Sequence, residues 1–185
     1  QQVADSACTS CVPALAGAGG HPHPYVRVTA AGALADRFAW LPADSVTAAR
    51  TLVGLAALLH DPDAATRGAA ARALLSRRGA AALDSVAPLL ADSSVVTRTA
   101  ALRALGVLPV ARVSGLLRAR LGAEQPLFDR MTAAEVLGTL KAREAIPTLR
   151  AALADTAMLF ASAAASALGD LADTASVPEM ARAYA

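Results

Sequence analysis

The chain has 185 residues, of which 55% are hydrophobic, 17% charged and 3% aromatic. This length suits one ordinary domain, and the apolar content excludes an intrinsically disordered chain. The net charge of +2 excludes the strong overall positive charge typical of a nucleic-acid-binding protein. Alanine, the best helix former, makes up about a quarter of the residues. The composition therefore predicts an all-α fold and argues against a β fold.

Charge is distributed unevenly along the chain. Residues 67–120 carry nine arginines and two aspartates, a net charge of +7, and the remainder carries −5. No run of about 20 apolar residues occurs, so we predict no transmembrane segment. The chain starts at Gln1 with no basic-then-apolar signal segment. We expect either that a leader has been removed or that the chain is a fragment.

A repeat of about 31 residues runs through the sequence. Five equivalent positions, which we call anchors, define the repeat: Arg27, Arg67, Arg98, Arg130 and Ala161. Successive anchors are 40, 31, 32 and 31 residues apart. Alanine follows each anchor by three or four residues, and leucine follows it by seven, at Leu34, Leu74, Leu105, Leu137 and Leu168. This spacing lies on one face of a helix, which we call helix A. Because small side chains line this face of helix A, the helix that packs against it can approach closely.

Residues 1–20 are predicted to contain the second helix, helix B, of an incomplete repeat. The segment Cys11-Val12-Pro13-Ala14-Leu15 resembles the motif that opens helix B in later repeats, and proline is tolerated in a first helical turn. Cys8 and Cys11 have the C-x-x-C spacing of a dithiol redox centre. The strand–turn–helix context of such a centre is missing. We therefore expect a disulfide or inert thiols here.

Residues 21–60 form the first complete repeat, which is about nine residues longer than the others. His21 and His23 stand where the next repeat has two aspartates ahead of helix A, so we expect both to be turn residues. An alternative is a zinc site in which Cys8, Cys11, His21 and His23 supply two thiolates and two imidazoles, although the spacing is unusual for zinc.

The rest of this first repeat contains three of the few aromatic residues: Tyr25, Phe38 and Trp40. Helix A is expected to continue through Trp40, and helix B to run to about His60. The aromatic side chains are interpreted as core filling or, alternatively, as a surface that faces a partner.

The later repeats span 61–91, 92–122, 123–154 and 155–185. Six residues before their anchors stand acidic residues, at Asp61, Asp92, Glu124 and Asp155. We expect the anchor arginines to pair with neighbouring acidic turns in a structural ladder. Proline or glycine is expected to mark the start of each B helix, at Pro88, Gly115, Pro147 and Pro178.

These two-helix units, with D-P-D-like turns, an arginine in helix A and V-P-x-L opening helix B, resemble the HEAT-like repeats of the phycobiliprotein-lyase class. The resemblance covers essentially the whole chain. It implies a single α-solenoid of stacked helical hairpins, with a right-handed superhelix, used mostly as a scaffold or adaptor.

No motif of a known chemistry accompanies the repeats. The His-Glu pairs of HEAT-like metal-dependent hydroxylases are absent, and aromatic residues are too few for a base-stacking platform. We expect a non-enzymatic interaction or scaffold subunit with no cofactor, as a peripheral subunit of a larger membrane-associated bacterial complex. The alternative is a chromophore-lyase-like or metal-dependent enzyme. The expected location is periplasmic or otherwise extracytoplasmic after removal of a leader, and a cytoplasmic location is the alternative.

A basic stripe is the candidate binding surface. Arg118, Arg150 and Arg182 are spaced 32 and 32 residues apart, each three or four positions after a predicted start of helix B. Because B helices usually line the concave side of such solenoids, we expect the three arginines to bind an acidic or polar protein partner. A plain solvated face is the alternative interpretation.

Overall fold

The fold is described by a computed structural model, which covers residues 11–37 and 46–183 and, within them, the side chains of residues 13–35 and 46–182. All regular elements in these ranges are helices, so the all-α prediction is confirmed. The α-helices are α1 (Cys11–Ala18), α2 (Pro24–Arg37), α3 (Val46–Leu58), α4 (Ala64–Arg78), α5 (Leu83–Val86), α6 (Val95–Ala104), α7 (Val110–Arg118), α8 (Leu127–Thr139), α9 (Ile146–Ala151), α10 (Met158–Asp170) and α11 (Val177–Ala183). Short 3-10 segments join several of them, at Gly79–Ala82, Ala87–Ala91, Leu105–Val107, Arg143–Ala145, Ala152–Ala154 and Thr174–Ser176.

The chain divides into two compact units, Gln1–Ala104 and Leu105–Ala185. In the first unit, α4 packs between α2 and α6, while α1 contacts both α2 and α3. In the second unit, α8 packs against α10, and α7 and α9 contact α8 and α10 respectively. The six predicted repeat boundaries stay a prediction.

The five predicted A helices are α2, α4, α6, α8 and α10. Each of them begins three residues before its anchor, so that every anchor is the fourth helical residue. Asp63 caps α4 by accepting a 2.8 Å hydrogen bond from the Thr66 backbone N–H. The continuation of α2 through Phe38 and Trp40 lies outside the described residues.

The leucines seven residues after the anchors belong to the buried residues of the two units. All five are buried, and Leu105, Leu137 and Leu168 have no exposed surface. Leu105 lies in the 3-10 segment that follows α6 rather than in the α-helix itself. The predicted register of the A helices is confirmed by this common burial.

The predicted starts of the B helices are only partly correct. Pro147 and Pro178 are the second residues of α9 and α11, as expected. Gly115, however, lies in the middle of α7, because Pro109 already starts that helix as its N-cap residue. Pro88 lies in a 3-10 segment that follows α5, so it also does not open a B helix.

Helices α4 and α6 approach each other as closely as their small residues allow. A Cβ atom built on Gly68 of α4 would lie 2.5 Å from the Cβ of Ala100 on α6, which is closer than two carbon atoms can pack. Glycine is therefore required at position 68. The expectation of a close approach on the small-residue face is confirmed here.

No helix within the described ranges is both long enough and apolar enough to span a bilayer.

We predict that Leu105→Ala lowers the free energy of unfolding by about 2–5 kcal/mol, because it removes buried methyl groups and leaves a cavity. Val107→Ala is a matched control, since Val107 is 49% exposed in the same 3-10 segment, and it should cost less than about 0.5 kcal/mol. Urea denaturation of both variants measures the difference. Equal stability of the two variants would contradict the predicted register.

Candidate functional site

A repeated arginine clamp joins the turns ahead of the A helices. In the first unit, Arg67 donates from Nε and Nη2 to the two carboxylate oxygens of Asp92, at 2.8 Å each. Its Nη1 donates to the carbonyl oxygens of Asp61 and Pro62, at 2.8 and 3.1 Å. The guanidinium of Arg67 thus binds both the turn before its own helix, α4, and the turn before the next A helix, α6.

The same arrangement recurs at other anchors. Arg27 makes a bidentate pair with Asp61 at 2.7 Å in both bonds, and its Nη1 donates to the backbone of the preceding turn. In the second unit, Arg130 forms an ion pair with Asp155, and its guanidinium carbon lies 3.9 Å from the centre of the Phe160 ring. The predicted ladder of arginines and acidic turns is confirmed at these three anchors.

The acidic partners also order their own turns. Asp61, Asp92 and Asp155 each accept a 2.8 Å hydrogen bond from the backbone N–H two residues later. Hydrogen bonds from the arginine side chains are the largest cause that lowers the pKa of these three carboxyl groups. The three carboxyl groups therefore stay ionised, and paired with their arginines, to a lower pH than a free aspartate would.

Glu124 does not follow this pattern. Arg130 donates from Nε to the carbonyl oxygen of Leu121 at 3.3 Å, and Glu124 is exposed and bonded to Gln125. The turn before α8 thus differs from the Asp-containing turns, because the residue two positions after Glu124 is Pro126, which has no backbone N–H to donate.

His21 and His23 behave as turn residues. The Nδ1 of His21 accepts a hydrogen bond from the His23 backbone N–H at 3.1 Å, and the Nδ1 of His23 accepts one from the Tyr25 backbone N–H at 3.2 Å. His21 thus takes the place of Asp61 in the equivalent turn. Cys8 and the Cys11 side chain lie outside the described part, so the disulfide and its zinc alternative stay predictions.

The three arginines of the predicted basic stripe have different environments. Arg118, the last residue of α7, and Arg182, on α11, are exposed. Arg150, on α9, donates to both carboxylate oxygens of Asp173, at 2.8 and 2.5 Å, and to the Ser176 hydroxyl at 3.0 Å. Arg150 therefore clamps the turn before α11, which the sequence reasoning did not foresee.

A surface depression of about 510 Å³ lies beside Arg150 and Arg182, and we call it the helix-B depression. Ala151, Leu153 and Ala154 give it an apolar floor, and Glu179 contributes one acidic group. Asp173 and Glu179 both raise the pKa of Arg150, the hydrogen-bonded Asp173 more strongly. The depression thus combines apolar contact area with arginines whose charge is partly balanced.

Exposed apolar side chains recur at the starts of the A helices, a recurrence that the sequence reasoning did not foresee. For Tyr25 the interpretation as core filling is wrong, because its side chain is exposed. The residue two positions before each anchor is apolar or aromatic and exposed in all five cases: Tyr25, Ala65, Val96, Phe128 and Leu159. The larger ones are strongly exposed, with 71% of Tyr25, 57% of Phe128 and 58% of Leu159 open to solvent. The anchor alignment itself contained this signal, because the five positions are equivalent.

No group of three or more His, Cys, Asp or Glu side chains in the described ranges could hold a metal ion. The exposed apolar positions and the helix-B depression are instead features that a protein partner can contact.

The comparisons with known proteins concern the fold. No family model matches the chain, and no curated protein matches it. Among solved structures, the chain is similar to a crystal structure of an engineered protein, a Northeast Structural Genomics Consortium target. The two share 20% sequence identity with a TM-score of 0.54, over 93% of this chain and 84% of that one.

We predict that Asp92→Asn lowers the free energy of unfolding at pH 7 by about 1–3 kcal/mol, because it weakens charged hydrogen bonds from Arg67. The exposed Asp84 in the same unit is the matched control, and Asp84→Asn should change stability by less than about 0.5 kcal/mol. Chemical denaturation of the two variants, which lose the same charge, measures the difference.

The same clamp predicts a dependence on pH. Because the pKa of Asp92 is lower in the folded protein than in the unfolded chain, its stabilisation is complete above the unfolded pKa. It is lost as the pH falls below about 4 and through the folded pKa. Thermal melts between pH 7 and pH 3 should show a smaller acid-induced decrease for Asp92→Asn than for Asp84→Asn. Identical pH profiles would show that the clamp does not stabilise the fold.

Proposed function

We propose that this protein is a non-enzymatic interaction or scaffold subunit, built as an α-solenoid of HEAT-like repeats with a right-handed superhelix. The identical placement of all five anchors and the recurring arginine clamp support the repeat interpretation. The similarity to the engineered protein is compatible with it and concerns the fold alone.

The observation that carries the interaction function is the exposure of apolar side chains at equivalent helix positions. Isolated exposed apolar residues are common on protein surfaces and need no explanation. Here Phe128 and Leu159 lie at matching positions of α8 and α10, which pack against each other, and the adjacent Met158 is 78% exposed. Exposed apolar side chains that recur at matching positions of two packed helices favour a surface that binds other proteins.

The helix-B depression is proposed as the contact for an acidic or polar region of that partner. Arg182 lines the depression and is exposed, and Arg150 is held there by Asp173. Arg118 is exposed on α7, outside the lining of the depression. Exposed arginines contribute little to folding stability but attract acidic groups of a partner and orient it. The proposed partner is a protein, and nucleic acid is not part of the proposal.

We further propose an extracytoplasmic location, at the periphery of a membrane-associated bacterial complex. The C-x-x-C pair at Cys8 and Cys11 supports an extracytoplasmic location, because its spacing suits a disulfide and disulfides persist in oxidising compartments. Cell fractionation tests this location, and recovery in the cytoplasmic fraction alone would contradict it.

The interaction is tested by isolating the tagged protein natively and identifying the proteins that co-purify. Arg118→Glu/Arg182→Glu should then weaken association with the identified partner by about tenfold or more and reduce its dependence on salt. Arg150 is left unchanged, because its replacement would also break the ion pair with Asp173.

Two further double variants make the result specific. Arg50→Glu/Arg78→Glu changes the same charge at exposed positions of the first unit and should bind like the wild type. Phe128→Ser/Leu159→Ser tests the apolar positions. Loss of binding only in this last variant would overturn the helix-B contact, and unchanged binding in all three would overturn both surfaces.

A further inference from the structure

An apolar cavity lies between three helices of the first unit. It has a volume of about 210 Å³ and is bounded by α1, α2 and α3. Leu34, Leu55 and Leu58 line it and are themselves buried. Native protein interiors contain few voids larger than a water molecule, so a space of this size calls for an explanation.

The chemistry of the lining does not suit water. Among the described lining residues, Thr51 has the only polar side chain, and its hydroxyl already donates to the Thr47 carbonyl oxygen at 2.8 Å. A buried water needs two to four polar partners, which these walls do not provide. For comparison, a cavity of about 150 Å³ lined by apolar side chains remains dry and binds benzene or xenon.

Gly54 is a second, independent indication that the space is kept open. It lies inside α3, where glycine destabilises a helix by about 0.5–1 kcal/mol relative to alanine. Its φ is not in the left-handed region, and a Cβ atom built on it would meet no atom within 4 Å. Neither the backbone nor close packing among the described residues requires this glycine, yet it lies in the cavity wall.

We propose that this cavity binds the aliphatic chain of a small molecule. All described side chains that line it are aliphatic or methyl-bearing, so none of them is an aromatic ring that could stack on a planar ligand or a charged group that could hold an ionic one. The volume is below the 300–1,000 Å³ typical of drug-sized ligands, so a short chain fits and a large pigment does not. The proposal is independent of the protein-interaction function.

Titration of the folded chain with n-hexanol, followed by NMR, tests the proposal. We expect saturable shifts confined to residues of α1, α2 and α3. Each methylene that enters the cavity should increase affinity about fourfold, so n-propanol should bind far more weakly than n-hexanol. Absence of saturation, or equal affinity for the two alcohols, would overturn the proposal.

Gly54→Leu should fill the cavity and weaken n-hexanol binding at least about tenfold. Gly115→Leu is the matched control, because Gly115 is also a helical glycine with no atom within 4 Å of a built Cβ, and it lies in α7 of the other unit. This control should bind n-hexanol like the wild type. Should Gly54→Leu not fold, Gly54→Val provides the same test with a smaller side chain. Wild-type affinity in a folded Gly54 variant would show that n-hexanol binds elsewhere.

Discussion

The bidentate ion pair between an anchor arginine and the aspartate ahead of the next A helix fixes the position of one helix relative to the next. Arg67 uses Nε and Nη2 for Asp92 and keeps Nη1 for the carbonyl oxygens of its own preceding turn. Arginine suits this role because its planar fork of donors can hold two acceptor groups in a fixed geometry. Packing as close as that at Gly68 requires such a fixed register, since a small sliding of α6 would bring backbone into contact with side chains.

The clamp also determines which charges remain available to a partner. Asp61, Asp92 and Asp155 are neutralised by arginines, so the turns ahead of the A helices carry little net charge despite their acidic sequence. Arg150 is used in the same way by Asp173. The groups left for recognition are then the apolar side chains at the helix starts and the exposed arginines of the B helices, which is why the proposed function rests on these two sets.

The A helices could be predicted from the sequence because their anchors, alanines and leucines repeat with helical spacing, and the leucines are buried in each unit. The B helices were predicted less well, since their marker residues have more than one structural use: Gly115 lies within a helix and Pro88 within a 3-10 segment. The Arg150–Asp173 pair was missed because Arg150 is not an anchor of an A helix: it lies on α9, and the sequence analysis assigned it to the basic stripe. The exposed positions of Phe128 and Leu159 were missed because the repeats were compared at the anchors and at the residues three, four and seven positions after them, and not at the residue two positions before them.

Small residues serve two opposite purposes in the first unit, and only the packing distinguishes them. At Gly68 the absence of a side chain lets α4 and α6 touch, and added atoms would push the helices apart. At Gly54 the same absence leaves a space that no neighbouring atom enters, although α1 contacts both α2 and α3 around it. An alanine-rich sequence therefore does not by itself produce a tightly filled interior. Where two helices approach face to face, small side chains bring them close, but where three helices meet they leave a volume that larger side chains would have filled.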